Sequence, residues 1–334
     1  MEDFKPLVSI IIPVFNGERY IAEALDSAVK QSYEDIEIIV VDDGSKDKTE
    51  EIVGRYPKVK YIKKDNGGVA SALNKGIFET KGEYISWLSH DDLYHSNKIE
   101  SQVKLLKELP REKRQNVFIY SAFEHMNEDL VIYDKFEPHN KFPLSKLQHK
   151  HFPAIFGLVN GCTTLISVEA LKEVGLFKEE LFYTQDIDMW FRILPKVNVV
   201  YQNEITLISR KHKAQGTNNP DPRKIKEQND LYKNMVNNLT KEDMVEMAGS
   251  EMAFLKQVID FVYELNYIDA ANYFEERLAK LENRKDSPFL GLVESLIRIT
   301  PMYKKYKDLK DENIKLKKKI DYLSSKLEGQ SLKD

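Results

Sequence analysis

Two runs of the chain, Leu7-Val8-Ser9-Ile10-Ile11-Ile12 and Ile36-Glu37-Ile38-Ile39-Val40-Val41, are apolar at nearly every position. A strand with one wet face alternates; a strand covered on both faces does not, and that is the pattern of a parallel sheet. Between the runs, Ile21, Ala24, Leu25, Ala28 and Val29 fall at helical spacing. Val59–Ile62 reads as a third strand, Val69–Phe78 as a helix, and Tyr84-Ile85-Ser86-Trp87-Leu88 as a fourth strand. Strand and helix alternate through short connections, which predicts a doubly wound, mostly parallel α/β sheet of Rossmann-like form. Asp47, three residues before Glu50, reads as a capping box for a short helix.

Ligands of such sheets sit outside the carboxyl ends of the strands. Asn16, Asp42, Asp43, Asp91 and Asp92 all fall at that edge. Two adjacent carboxylates at a strand tip need water, a cation or a basic group, because an unpaired buried ion is costly. A divalent metal carrying phosphates answers that need; a helix N-cap is the plainer alternative. No Gly-x-Gly-x-x-Gly follows the first strand, and no Gly-x-x-x-x-Gly-Lys-Ser/Thr occurs, so neither a nicotinamide site nor a P-loop is expected.

Composition excludes other classes. The 334 residues are 42% hydrophobic and 31% charged, with net charge −4, so no global basic field addresses nucleic acid. The single Cys162 allows no intramolecular disulfide and suits a reducing compartment. No apolar run reaches the ~18 residues of a membrane span, and no signal peptide is expected. A cytoplasmic protein follows.

Val8-Ser9-Ile10-Ile11-Ile12-Pro13-Val14-Phe15-Asn16, then Val41-Asp42-Asp43-Gly44-Ser45 with Asp47 and Thr49, then Asn66-Gly67-Gly68-Val69 and Ala72-Leu73-Asn74 with Gly76, resemble the family-2 inverting glycosyltransferases of GT-A fold. The resemblance covers about residues 6–213. It implies transfer of a sugar from a nucleotide sugar, usually a UDP-sugar, to a glycan, lipid-linked or polymer acceptor. By that resemblance Pro13, Phe15, Asn16, Asp43 and Asn74 belong to the nucleotide site, with Asp43 accepting from the uracil imide. Taken without it, Asp42-Asp43-Gly44-Ser45 is a turn.

The family's metal motif reads Asp-x-Asp-Asp; here it is Ser89-His90-Asp91-Asp92, so Asp91 and Asp92 carry the expectation. Asp91 is expected at the diphosphate and Asp92 on a Mn²⁺ or Mg²⁺ ion, Mn²⁺ favoured. Asn160-Gly161-Cys162-Thr163-Thr164 continues the resemblance, with Cys162 buried for packing. In Tyr183-Thr184-Gln185-Asp186-Ile187-Asp188, Asp186 aligns with the catalytic base and Gln185 replaces a Glu. At a helix start Asp186 is expected to be ionised, as a base must be. Ser209-Arg210-Lys211-His212-Lys213 reads as a basic loop after the strands Val197–Tyr201 and Ile205–Ser209. Arg210 is expected on phosphate oxygens and His212 on the metal. His139, His149 and His151 read as solvated loop residues. Ser89 and Gln185 keep open a second class, a catalytically weak sugar-nucleotide-binding scaffold; a nucleotidyltransferase is a third.

Three parts are expected: 1–220 for transfer, 221–300 helical, and 301–334 a coiled coil. Leu309, Asn313, Leu316, Ile320, Leu323 and Leu327 alternate steps of four and three over about three heptads, with a polar Asn313 that favours a homodimer. The Lys-rich run from Lys304 to Lys319 is a further expectation for peripheral contact at the inner face of a membrane.

Overall fold

The computed structural model describes residues 4–213, 215 and 221–283. The chain divides between Glu276 and Arg277, and the architecture below belongs to the first part. The expected heptad of Leu309–Leu327 lies outside the described residues.

Strands β1 (Val8–Val14), β2 (Ile36–Asp42), β3 (Val59–Lys63) and β4 (Tyr84–Trp87) are parallel neighbours in the order β3-β2-β1-β4. All seven residues of β1 are buried, because helices cover both faces. Helix Ile21–Val29 buries Ile21, Ala24, Leu25 and Ala28, the stripe its spacing implies. Helix Gly68–Glu79 lies close on the sheet because Gly76 has no side chain. A Cβ there would stand 2.4 Å from Ile11 Cγ2. The capping box does not form as expected. Asp47 instead accepts from the Glu18 and Thr49 amides, tying the segments after β1 and β2 together.

Beyond β4 the sheet becomes mixed. β5 (Leu93–Tyr94), β6 (Val117–Met126), β7 (Ile132–Phe136), β8 (Leu165–Ser167) and β9 (Asn198–Arg210) complete nine strands, ordered β3-β2-β1-β4-β8-β6-β9-β5 with β7 on β6. β8 runs antiparallel to both β4 and β6, while β6 and β9 run parallel. The two strands expected over 197–209 are one strand of 13 residues, whose register against β6 shifts near Ser121 and Ala122. Gln202, Asn203 and Glu204 read as a break, yet the strand takes up the extra residues as an irregularity. This long strand delivers Arg210 and His212 to the loop after β4.

The helical C-terminal region forms as expected, in helices Pro222–Asn237, Lys241–Ala248, Glu251–Glu264 and Ile268–Asn283. Each of the first three has its starting signal. Asp221 accepts from Arg223 N, Thr240 and Asp243 form a reciprocal capping box, and Ser250 accepts from Ala253 N. Phe254, Leu255, Val258 and Val262 are fully buried, and Phe261 meets Phe156 at 5.4 Å between ring centroids. These helices explain why the loop histidines are not solvated. His149 and His151 face Glu246 and Asp243 on helix Lys241–Ala248, and Lys150 pairs with Asp243. Burial lowers both imidazoles, His151 to about 4. Among the described residues no helix is long and apolar enough to cross a membrane.

Candidate active site

The carboxyl edge of β1 and β2 is a turn held by its own polar groups. Asn16 takes φ 51°, a left-handed conformation that Asn tolerates. Its amide donates to Ser45 Oγ (2.8 Å), and its Oδ1 accepts from Lys46 N (2.9 Å). Asp42 accepts from Ser45 N and from the Tyr61 hydroxyl. Pro13 is buried, whereas Phe15 is 46% exposed at the mouth.

Asp43 is more committed than a base-reading carboxylate was expected to be. Its Oδ1 accepts from Lys64 Nζ (2.7 Å) and Gly67 N (2.9 Å), and its Oδ2 from Gly68 N (2.7 Å). One acceptor position on Oδ2 is left for a further donor. Asn74 corrects its expectation outright. Its side-chain amide bonds Phe177 in both directions, at 2.8 and 3.0 Å, so it pins helix Gly68–Glu79 to the 176–179 loop.

The second cluster joins the loop after β4 to the end of β9. Asp91 Oδ2 stands 2.9 Å from His212 Nε2 and 3.4 Å from Gln215 Nε2. Burial alone would raise Asp91, but His90 and the hydrogen bond from His212 outweigh it and hold the carboxyl below its usual range. Asp92 behaves oppositely. It is buried, and its Oδ1 accepts from Arg210 N (2.8 Å); burial, then the Asp91 charge, raise it. It is Asp91, not Asp92, that meets His212. Asp91 faces the second cluster's other donor, and Asp92 braces it from behind.

Arg210 is likewise not a free phosphate ligand. It is 1% exposed, bonds Glu23 at 2.6 Å and the Asp91 carbonyl at 3.0 Å, and lies 4.6 Å from the centroid of Tyr20. Tyr20 packs on His212 at 4.7 Å. Thus Tyr20, Glu23 and Arg210 hold the Asp91–His212 pair, a role no motif announced. His90 lies between the two clusters, where Gly17 leaves room for its ring: a Cβ there would stand 2.9 Å from His90 Cδ2. Ser89 has a local reason. Its Oγ lies 3.2 Å from Cys162 Sγ, and an Asp there would place a third carboxylate beside buried Asp92. Burial pushes the Cys162 thiol well up, which removes it as a nucleophile.

Asp186 stands in the first turn of helix Gln185–Ile193. Its Oδ1 accepts from Ile187 N at 2.9 Å. Burial raises this carboxyl, and the amide of Ile187 offsets part of that rise. Asp188 accepts from Lys178 (2.8 Å) and Arg192 (2.7 Å). Gln185 is buried, and its Oε1 has no hydrogen-bond partner among the described residues.

A metal at this edge can be tested against the donor set. Two cis ligands about 2.1 Å from an octahedral ion are themselves roughly 3 Å apart, and the Asp91–His212 spacing is 2.9 Å. A carboxylate oxygen with an imidazole nitrogen suits Mn²⁺ better than oxygen-seeking Mg²⁺. Among the described residues no third His, Cys, Asp or Glu joins them, so other positions fall to substrate oxygens and water. The residues fit such an ion.

The comparisons agree with this architecture. The family model described as "Glycosyl transferase family 2" matches residues 9–175. An uncharacterized glycosyltransferase of Rickettsia typhi is 44% identical over 266 residues, 79% of this chain and 82% of that one. A Bacillus subtilis glycosyltransferase assigned to teichuronic acid biosynthesis, TuaG, is 30% identical over 60% of this chain and 77% of its own length. Staphylococcus aureus TarS 1–349 in complex with UDP-GlcNAc shares the fold, with TM-score 0.57 at 18% identity over 77% of this chain and 80% of that one. With its strand order, Asp-tipped edge and family match agreeing, this chain belongs to glycosyltransferase family 2.

Proposed function

We propose that this protein transfers a sugar, with inversion, from a UDP-sugar to a hydroxyl of a glycan or lipid-linked acceptor. The observation that carries the reading is the approach of Asp91 and His212 beside the Asn16–Asp43 turn. The turn would hold base and ribose, with Phe15 exposed to stack and one Asp43 oxygen able to accept. Asp91 and His212 would hold a divalent ion, Mn²⁺ by preference, which neutralises charge growing on the diphosphate. Lys211 and Lys213 flank His212 and would meet phosphate oxygens. Asp186 would take the proton of the attacking hydroxyl on the face opposite the diphosphate, and no covalent intermediate is needed. Its raised pKa brings a carboxylate closer to the pH at which a base works well.

The relative assigned to teichuronic acid biosynthesis supports a polymeric acceptor, and a hexosyl or N-acetylhexosaminyl donor is part of the same proposal. Division at about residue 220, a homodimer through the C-terminal heptad, and a place in the cytoplasm at the inner face of the membrane complete the proposal. The test is a thermal-shift screen of UDP-, GDP- and dTDP-sugars with and without Mn²⁺, followed by turnover of the best binder. Mn²⁺-dependent stabilisation by a UDP-sugar, with turnover, supports the reading. Stabilisation with no turnover on any acceptor identifies a sugar-nucleotide-binding scaffold instead.

A further inference from the structure

We infer that Glu227, on the first C-terminal helix, is a positioning residue for the base. This inference rests on the assignment of Asp186 above. Asp186 follows a loop, Phe182-Tyr183-Thr184, that has no regular partner strand. Three consecutive amides of that loop converge on one carboxylate. Glu227 Oε1 accepts from Tyr183 N and Thr184 N, both at 2.8 Å, and Oε2 accepts from Phe182 N at 3.1 Å. The Thr184 hydroxyl adds a fourth bond, 2.8 Å to Oε1.

Thr184 is the N-cap residue of helix Gln185–Ile193, and its hydroxyl makes no capping bond but is turned to donate to Glu227. The helix start that carries Asp186 is therefore anchored from outside. Convergent amides at a helix start are the ordinary receptor for an anion. Here a residue 43–45 positions later supplies that anion. A second tether runs beside it. The Tyr183 hydroxyl donates to Asp221 Oδ2 at 2.7 Å, and Asp221 caps the helix that bears Glu227. Arg223 lies 5.7 Å from the Phe182 centroid, so the same helix engages each residue of the loop. Tyr232, farther along that helix, and Tyr267 interact electrostatically with Asp186 itself.

Nothing in the nucleotide turn or the Asp91–His212 cluster touches Glu227 in these bonds. Its removal should therefore act on the base and leave nucleotide binding intact. Displacing a catalytic group by about 1 Å costs on the order of 10²-fold in rate.

The experiment uses full-length protein and four variants: Glu227→Ala, Glu227→Gln, Tyr183→Phe and Asp186→Asn. Amide hydrogen exchange at 182–184, the Kd for UDP with Mn²⁺, and kcat and KM for the nucleotide sugar that most stabilises the protein are measured. For Glu227→Ala we expect roughly 10–100-fold lower kcat, unchanged donor KM and UDP affinity, and faster exchange at all three amides. Glu227→Gln, which keeps one accepting oxygen, should fall between it and the parent. Tyr183→Phe should lose less. If Glu227→Ala does not fold, Glu227→Gln carries the test. Unchanged exchange at 182–184 in the Glu227 variants overturns the inference, as does unchanged kcat while Asp186→Asn is impaired. A loss confined to stability, with kcat per folded molecule intact, also overturns it. Unimpaired Asp186→Asn instead removes the base assignment, a separate failure.

Discussion

His212 Nε2 lies 2.9 Å from Asp91 Oδ2, although 121 residues separate them in the chain. The approach is enforced from three sides. Arg210 N holds Asp92, the Arg210 guanidinium holds the Asp91 carbonyl, and Tyr20 packs on the imidazole. A hydrogen-bonded acid–imidazole pair at this edge is what a divalent ion would separate into two ligands.

That pairing distinguishes the two acids. His212→Ala and Asp91→Asn should each weaken Mn²⁺-dependent UDP binding by roughly 10–100-fold and leave metal-free binding little changed. Asp92→Asn should act chiefly on folding stability, because its buried carboxylate accepts from Arg210 N. Calorimetry of UDP with Mn²⁺ and with EDTA measures this. Equal losses in both conditions for His212→Ala would make it a loop residue only.

Asp186→Asn should keep nucleotide binding and lose turnover by about 10²–10⁴-fold. Burial raises this carboxyl, so the acid limb of the pH–rate profile should lie above the ordinary carboxylate range of about 4. The sign for stability is opposite to that of a paired acid. The charged folded form is penalised above the raised value, and the penalty fades as pH falls through it. The Asn variant, free of that penalty, should melt higher at neutral pH. A variant that turns over normally returns Asp186 to a helix-start residue.

Lys98 is fully buried, and burial pushes it down to about 7. Its Nζ donates to Ser86 Oγ (2.7 Å), Gln102 Oε1 (2.9 Å) and Thr164 O (3.1 Å). Between about 7 and the ordinary lysine value of 10.5, the unfolded chain binds the proton that the folded chain has lost. Stability should therefore rise with pH in that window, by on the order of a few kcal/mol in all. Urea unfolding at pH 7 and 9 reads it. A slope equally steep in Lys98→Met would assign the effect to other groups.

Gly161 lies under the Trp87 ring. A Cβ there would stand 2.3 Å from Cε3 and Cζ3. Trp87 is 8% exposed at the end of β4, just before the Ser89–Asp92 loop. Gly161→Ala should cost about 1–3 kcal/mol by overpacking and also reduce turnover, since Trp87 immediately precedes the Leu88–Asp92 loop. Denaturant midpoints beside kcat test this. An unchanged midpoint would mean that the ring yields freely.

The heptad beginning at Leu309 predicts a homodimer. Deletion from about Lys304 should yield monomers that still bind UDP. Light scattering on both proteins decides it: a monomeric full-length chain at micromolar concentration removes the coiled-coil reading, and a trimer revises only the part played by Asn313.

The first four strands, their parallel order and the carboxyl-edge cluster were legible because local periodicity reports burial directly. Val8–Val14 is buried at all its positions, as an unbroken apolar run demands. The C-terminal helices were legible for the same reason, whereas their caps at Asp221, Thr240 and Ser250 came from the structure. The single long β9 was not, since polar Gln202, Asn203 and Glu204 look like a break until β6 is beside them. His149 and His151 looked solvated because the helix that covers them lies about ninety residues later in the chain.

The sequence by itself determined the family's sheet, the acids at its edge and the residue aligned with the base, because these depend on pattern and motif over short spans. Only the tertiary structure decided what each group does with its hydrogen bonds. It turned Asn74 onto Phe177, gave Arg210 to Glu23, set Asp91 rather than Asp92 against His212, and brought Glu227 to the loop before Asp186. The physical reason is that a polar side chain in a folded interior must satisfy its donors and acceptors with whatever the whole chain brings near. Those partners lie 103, 187, 121 and 43 residues away, beyond any local pattern.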